Sequence, residues 1–181
     1  MNFATKPGGQ IDLRTQAGAI LEPVRWTGLA ARILEKGVPV TIAHAPATPD
    51  ACMMAPPENL ARFIETLDAT NLVGVFASRD VSIIENFAPY RFAGPRAADL
   101  WANNMRAHLD GLSGLRHTFG DAKDFSQTGN TVYFSLPTQW TGFIHGKPFS
   151  EEGGWAFVLV RDGMQWRVQT YAWVVVKSTT D

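Results

Sequence analysis

The sequence predicts an α+β fold, because its helical and strand periodicities occupy separate stretches of the chain instead of alternating. Three observations carry this expectation. Apolar residues recur at i, i+3, i+4, i+7 after position 56 and again after position 95. Between them the period drops to two over Asp80 to Phe87. The last third then reads wholly as strand, cut by Thr128-Gly129-Asn130, His145-Gly146-Lys147-Pro148 and Asp162-Gly163.

The first 55 residues differ from the rest. The chain holds 11 Phe, 6 Trp and 3 Tyr, yet only Phe3 and Trp26 precede position 55. Ala, Gly, Pro and Thr dominate there, with one apolar-periodic segment at Leu29 to Leu34, and Ala45-Pro46-Ala47-Thr48-Pro49-Asp50 reads as an extended linker. Residues 1–55 are therefore expected to be an extension and 56–181 the folded domain. Ala43-His44-Ala45 has the small-x-small form of a leader cleavage site, but the run Val38 to Ala43 is short and holds Pro39. Cytoplasmic residence is favoured by this reading. A miscalled leader would instead mean export, to the periplasm or outside the cell.

The first helix of the domain is expected to open at Pro56-Pro57-Glu58, with Leu60, Phe63, Ile64 and Leu67 on one stripe. Asp68 and Thr70 then suggest the caps of a second helix ending near Phe76. In the strand Asp80 to Phe87, the residues Val81, Ile83, Glu85 and Phe87 share one face, and Ser82 and Asn86 share the other. Ala88-Pro89-Tyr90 turns the chain. A third helix follows from Pro95 to about Leu112, its apolar side carrying Ala98, Trp101, Met105, Leu109 and Leu112, and Gly111 and Gly114 end it. Four antiparallel strands are expected near 115–126, 130–144, 149–161 and 165–177. Gly153-Gly154 suggests a bulge that bends the third of these.

Composition excludes several roles. Sixteen basic and seventeen acidic residues leave a net charge of −1, which is not the basic excess of an electrostatically driven nucleic-acid binder. No apolar run approaches the length of a membrane span. One cysteine, Cys52, closes no intrachain disulfide and builds no thiolate zinc cage. His108, His117 and His145 lack metal-ligand spacing, and Gly142 to Lys147 is one residue short of a P-loop. Neither metal nor cofactor is expected.

Alternation aims the Glu85 carboxylate into the apolar interior, where burial raises a carboxyl pKa and makes it a candidate base. A bland alternative is an ion pair with Arg91. On the third helix, Asn104 and His108 lie within about 60° of Trp101 at about 100° per residue, so both can reach the region Glu85 faces. A core histidine and a rim asparagine are the competing explanation. Trp140 shares a strand face with Val132, Phe134, Leu136 and Ile144, which suits core packing or a ligand wall. Phe87, Trp101, Asn104 and Trp140 are the candidate ligand contacts, with Glu85 and His108 the candidate catalytic pair. On the last strand, parity groups Trp166, Val168 and Val174 inward and Gln165, Arg167, Gln169, Tyr171 and Trp173 outward. Such a mixed aromatic and polar face fits a protein–protein patch.

The order of elements, with Val81 to Gly94, Pro95 to Trp101, and Gly153-Gly154-Trp155-Ala156-Phe157-Val158-Leu159-Val160 followed by Arg161 to Val168, resembles the nuclear-transport-factor-2-like superfamily over residues 56–177. It looks closest to the SnoaL-like and ketosteroid-isomerase-like bacterial members. The resemblance implies a curved, mostly antiparallel sheet wrapped over helices into a cone with an apolar pocket at its open end. It also places Glu85, nine residues before Gly94, where ketosteroid-isomerase-like sequences carry their carboxylate base. A homodimer through the convex sheet, with Arg167, Gln169, Tyr171 and Trp173 at the contact, is implied as well. Steroid isomerisation is not, because the first helix offers Phe63 and no tyrosine as oxyanion donor. Three readings follow: a pocket protein binding a small, largely apolar molecule, an isomerase, lyase or cyclase using Glu85, or a dimerisation module.

Overall fold

A computed structural model describes residues 48–180 of the chain. The helix expected at Leu29 to Leu34, the cleavage-like Ala43-His44-Ala45 and the linker up to Ala47 lie outside the described residues. Within them, helix α1 spans Ala51–Thr66. It starts five residues before the expected Pro56, because Asp50 caps it: Oδ1 accepts from the Met53 N–H at 2.9 Å. Pro56 and Pro57 therefore fall inside the helix, where they cannot donate to the preceding turn, and both rings are buried. The apolar stripe behaves as its spacing predicts, with Leu60, Phe63 and Ile64 in the core.

The expected second helix shrinks to one 3-10 turn, Ala69–Leu72. Asp68 does cap it, accepting from Thr70 N–H at 2.9 Å. The surrounding polar groups then favour a turn over a helix. Thr66 Oγ1 accepts from Asp68 N–H and Asn71 Nδ2, both at 3.2 Å, and Gly74 takes a left-handed φ of 74°. Two α-helices, not three, are thus present among the described residues.

Strand β1 is Ser82–Ile84, and β2, Arg91–Ala93, runs back beside it. Helix α2 follows at Ala97–His108. It stops before the expected Leu112 because Gly111, at φ 81°, turns the chain straight into β3, Leu112–Phe119. Then come β4, Lys123–Thr128, β5, Thr131–Ile144, β6, Lys147–Asp162, and β7, Gln165–Thr180. The seven strands form one sheet in the order β2-β1-β7-β6-β5-β3, with β4 also on β5. Every pairing is antiparallel except β1 with β7, so the sheet is mixed. Helix α1 packs on β3 and β7, and α2 on β1 and β2. Glu65 of α1 fixes one of these contacts, accepting from the backbone N–H of His117 on β3 at 2.9 Å and lying 2.8 Å from its Nδ1.

Two expectations fail for reasons of hydrogen bonding. The run 115–126 is two strands, β3 on the C-terminal half of β5 and β4 on its N-terminal half. The break falls opposite Pro137, whose carbonyl accepts from Gly120 N–H at 2.9 Å and whose missing N–H leaves that side of the ladder one donor short. The second failure concerns β7. Val158 pairs with Thr170 but Leu159 with Val168, so Gln169 is an extra residue. One extra residue reverses the parity of everything beyond it. Trp166 and Val168 point inward as expected, but so do Tyr171 and Trp173, while Val174 is 57% exposed. The outward patch expected at Arg167, Gln169, Tyr171 and Trp173 thereby loses both aromatics to the core.

A further register shift sits at Gly153, as the Gly153-Gly154 pair suggests, but its extra residue is Val176 on the partner strand. Gly153 is needed for a different reason. A Cβ there would meet the Val174 carbonyl oxygen and come within 2.6 Å of the Trp173 indole, which lies across the strand at this point. Gly153→Ala is expected to destabilise the protein by about 1–3 kcal/mol, the usual range for overpacking, with a blue- or red-shifted Trp emission as Trp173 moves. Urea unfolding measures this. A variant as stable as the parent would mean that Trp173 is not seated over Gly153.

Candidate functional site

Just beyond the end of β1, the inward faces of β3, β5, β6 and β7 and the C-terminal half of α2 line an open-mouthed cavity of about 260 Å³. Aromatic rings form much of its wall: Phe87, Trp140, Phe149, Trp155 and Trp173. The titratable groups on it are Glu85, His108, Asp110 and Glu151. A second hollow, of about 290 Å³, lies between the first turns of α1 and the β6–β7 turn, lined by Cys52, Pro56, Val73, Met164 and Trp166 among others, and holds no carboxylate or histidine. The carboxylates and the histidine thus gather on the first cavity.

Glu85 is where alternation puts it, on the inward face directly after β1, and only 5% exposed. Two donors converge on its Oε1. Trp101 Nε1 donates from α2 at 2.8 Å, and the Tyr171 hydroxyl donates from β7. No hydrogen bond among the described residues engages Oε2, so this is the oxygen left to the cavity. Burial pushes the carboxyl up to about 7, against the opposing pull of Tyr171 and then Trp101, and the nearby charge of Glu151 adds to the rise. Tyr171 is fully buried. That burial, and then Glu85 beside it, holds its phenol well above the usual range, so it remains a donor.

His108 ends α2 and stacks on Phe87, ring centroids 4.2 Å apart and planes 15° from parallel. It is still reached by solvent, yet desolvation pushes its pKa down, so the imidazole is neutral at neutral pH. Phe87 and Trp140 line the cavity. Trp101 and Asn104 do not. Trp101 is sealed behind Glu85 at 0% exposure, and Asn104 Nδ2 donates to the Leu100 carbonyl at 2.8 Å along its own helix. The alternative, a Glu85–Arg91 ion pair, does not form among the described residues.

Sequence reasoning missed Glu151 and Tyr171. Glu151 lies on β6 at the same parity as Trp155, Phe157 and Leu159, so that alternation alone could have aimed it inward. It accepts from Trp173 Nε1 at 3.3 Å, and burial raises its pKa, opposed by that bond. Tyr171 was hidden by the Gln169 bulge, which leaves no mark in the residue pattern. Among the described residues, no group of three or more His, Cys, Asp or Glu is placed to hold a metal ion, and no helix is long and apolar enough to cross a membrane.

No protein-family model matches the chain, and no curated protein matches its sequence. Solved structures do match its shape. The hexachlorocyclohexane dehydrochlorinase LinA-type3 from Novosphingobium barchaimii superimposes with a TM-score of 0.62 at 10% identity, over 72% of this chain and 88% of that one. A putative scytalone dehydratase from Novosphingobium aromaticivorans gives 0.57 at 12%, over 71% and 87%. A protein of unknown function with a cystatin-like fold from Nostoc punctiforme gives 0.52 at 14%, over 67% and 86%. The fold is accordingly the nuclear-transport-factor-2-like, cystatin-like one.

The raised Glu85 pKa has a consequence for stability. Between about pH 4.5 and 7 the native carboxyl keeps a proton that the unfolded chain has released, so the native state binds more protons and stability falls as pH rises through this window. The loss is complete above the native value and approaches about 3 kcal/mol. Glu85→Gln keeps an oxygen for Trp101 and Tyr171 to donate to and cannot ionise. It is expected to be more stable than the parent at pH 8 by up to that amount, with the gain vanishing near pH 4. Urea titrations at the two pH values decide it, and an equal effect at both would contradict the burial of an ionising Glu85.

Proposed function

We propose that the cavity binds a small, largely apolar molecule and that Glu85 takes a proton from it, in an isomerase- or lyase-type reaction. One observation carries this reading: a nearly buried carboxyl is fixed through one oxygen by two donors, while its second oxygen faces the cavity. A base with a pKa near 7 is about half ionised at neutral pH, where it removes a proton and returns it with similar ease. In such a step a carbon–hydrogen bond breaks, the proton passes to Oε2 and the electron pair stays on the ligand. That pair forms a double bond as a leaving group departs, or is reprotonated at another carbon.

The aromatic wall supports an apolar ligand, and the volume, below the usual range for drug-sized sites, supports one of one or two rings. His108, Asp110 and Glu151 are the other groups on the wall able to carry a proton. Two structural neighbours bear the names dehydrochlorinase and putative dehydratase, both eliminations that remove a proton from carbon. At 10% and 12% identity they share the fold, and the proton-removing class of reaction is what their names add to this reading. Simple binding without turnover, the second reading, shares the cavity but assigns no task to the free oxygen of Glu85. The interaction module loses Tyr171 and Trp173, which lie in the core.

Native mass spectrometry of the purified protein, set against its denatured mass, identifies the class of molecule retained. Turnover of that class is expected to rise with pH through about 7 and level off above, since the ionised carboxylate is the active form. The other titrating groups around Glu85 are Glu151, Asp110, His108 and Tyr171. Glu85→Gln is expected to keep binding and lose about 100-fold or more in rate. Undiminished turnover in that variant would remove Glu85 from the chemistry.

A further inference from the structure

The charges around the cavity limit what can enter it. Of the residues on its wall, three are acidic, Glu85, Asp110 and Glu151, and none is Lys or Arg. The basic side chain of α2, Arg106, is committed elsewhere: its guanidinium lies 5.2 Å from the centre of the Phe63 ring and reaches the Leu67 carbonyl at 3.4 Å. A carboxylate or phosphate on a ligand would thus lose its water shell beside like charges with no cation to meet it.

A positive charge meets the opposite situation. Glu85 presents Oε2 without a partner from a side chain that is 5% exposed, and Glu151 holds only the 3.3 Å bond from Trp173. Around these oxygens stand the rings of Trp140, Trp155, Trp173, Phe87 and Phe149. Trp155 packs edge-on against Trp140 and Trp173 at centroid separations of 6.1 and 6.0 Å, so the indoles are held at fixed angles to one another. Aromatic faces attract ammonium groups through the ring quadrupole, and a desolvated site strengthens the attraction. Rings and carboxylate oxygens on one small wall are what recognition of an organic cation requires.

Resting on the reading of this cavity as the ligand site, we infer that its ligand class is a small organic amine, carried as the ammonium on an apolar body, with Glu151 the residue that meets the charge. Anions of the same size are excluded. The aromatic wall holds the body of the ligand, and Glu85 remains free to act on it.

Three probes share one ring and differ only in charge: 2-phenylethylamine, 2-phenylethanol and phenylacetate. Calorimetric titration of the full-length protein near pH 7.5 is expected to show the amine binding at least about tenfold more tightly than the alcohol, with phenylacetate not binding, since a charge-assisted bond and a cation–π contact together exceed a neutral hydrogen bond by that much. Glu151→Gln is expected to weaken the amine by about tenfold, toward the affinity of the alcohol, and to change the alcohol by less than about threefold, with thermal melting confirming that the variant folds. An alcohol that binds as well as the amine would overturn the cation inference and leave the apolar cavity standing. Phenylacetate binding most tightly would overturn it too. If none of the three binds, the inference and the reading of the cavity fall together.

Discussion

Three elements meet at one carboxylate oxygen. Trp101 from α2 and Tyr171 from β7 both donate to Glu85 Oε1, and Glu85 follows β1, which is itself hydrogen-bonded to β7. Helix α2 and the neighbouring strands β1 and β7 are therefore joined through a group that resists burial. Burying a carboxyl without partners is expensive, and two indole and phenol donors offset only part of that cost. The remainder appears as the raised pKa. A stability-driven sequence would place a neutral acceptor such as glutamine here, since Trp101 and Tyr171, both at 0% exposure, need an acceptor but not a charge. Destabilisation concentrated on one residue facing a cavity is the physical mark of a group kept for what it does.

The long strands supply the rest of the wall. Strand β7 carries two extra residues, Gln169 and Val176, against an uninterrupted pairing of β5 with β6. The first turns Tyr171 toward Glu85 and Trp173 toward Glu151. The second lies where Gly153 lets Trp173 cross β6 without a Cβ beneath it. The two carboxylates of the cavity are thus each held by an aromatic donor from β7, and the Gln169 insertion aims both donors. The tight return after Glu85 is closed independently by its N–H bond to the Tyr90 carbonyl at 3.0 Å, which holds the residue in line beyond the end of β1.

Much of this was legible in the residues themselves. Period-two alternation from Val81 aimed Glu85 inward, helical spacing aimed Trp101 and Met105 inward, and turn chemistry placed the hairpin ends within a few residues. What failed was set by pairing partners, which a local pattern does not contain. Pro56 and Pro57 marked a helix start on propensity, but the Asp50 cap begins it earlier. The split between β3 and β4 depends on which side of β5 lacks the Pro137 N–H. Tyr171 and Trp173 changed faces because of an insertion visible only against β6. Glu151 is different: its parity with Trp155 was available, and the neighbouring glycines drew attention to backbone bending instead.

Ionisation of Glu85 near neutrality is measured directly by a pH titration of the glutamate side-chain carbons by ¹³C NMR, with Glu85→Gln assigning the signal. One carboxyl carbon is expected to titrate with a midpoint of about 7 and to vanish in the variant. Glutamate signals that all titrate in the ordinary range between about 4 and 5, with the Glu85 resonance among them, would contradict it.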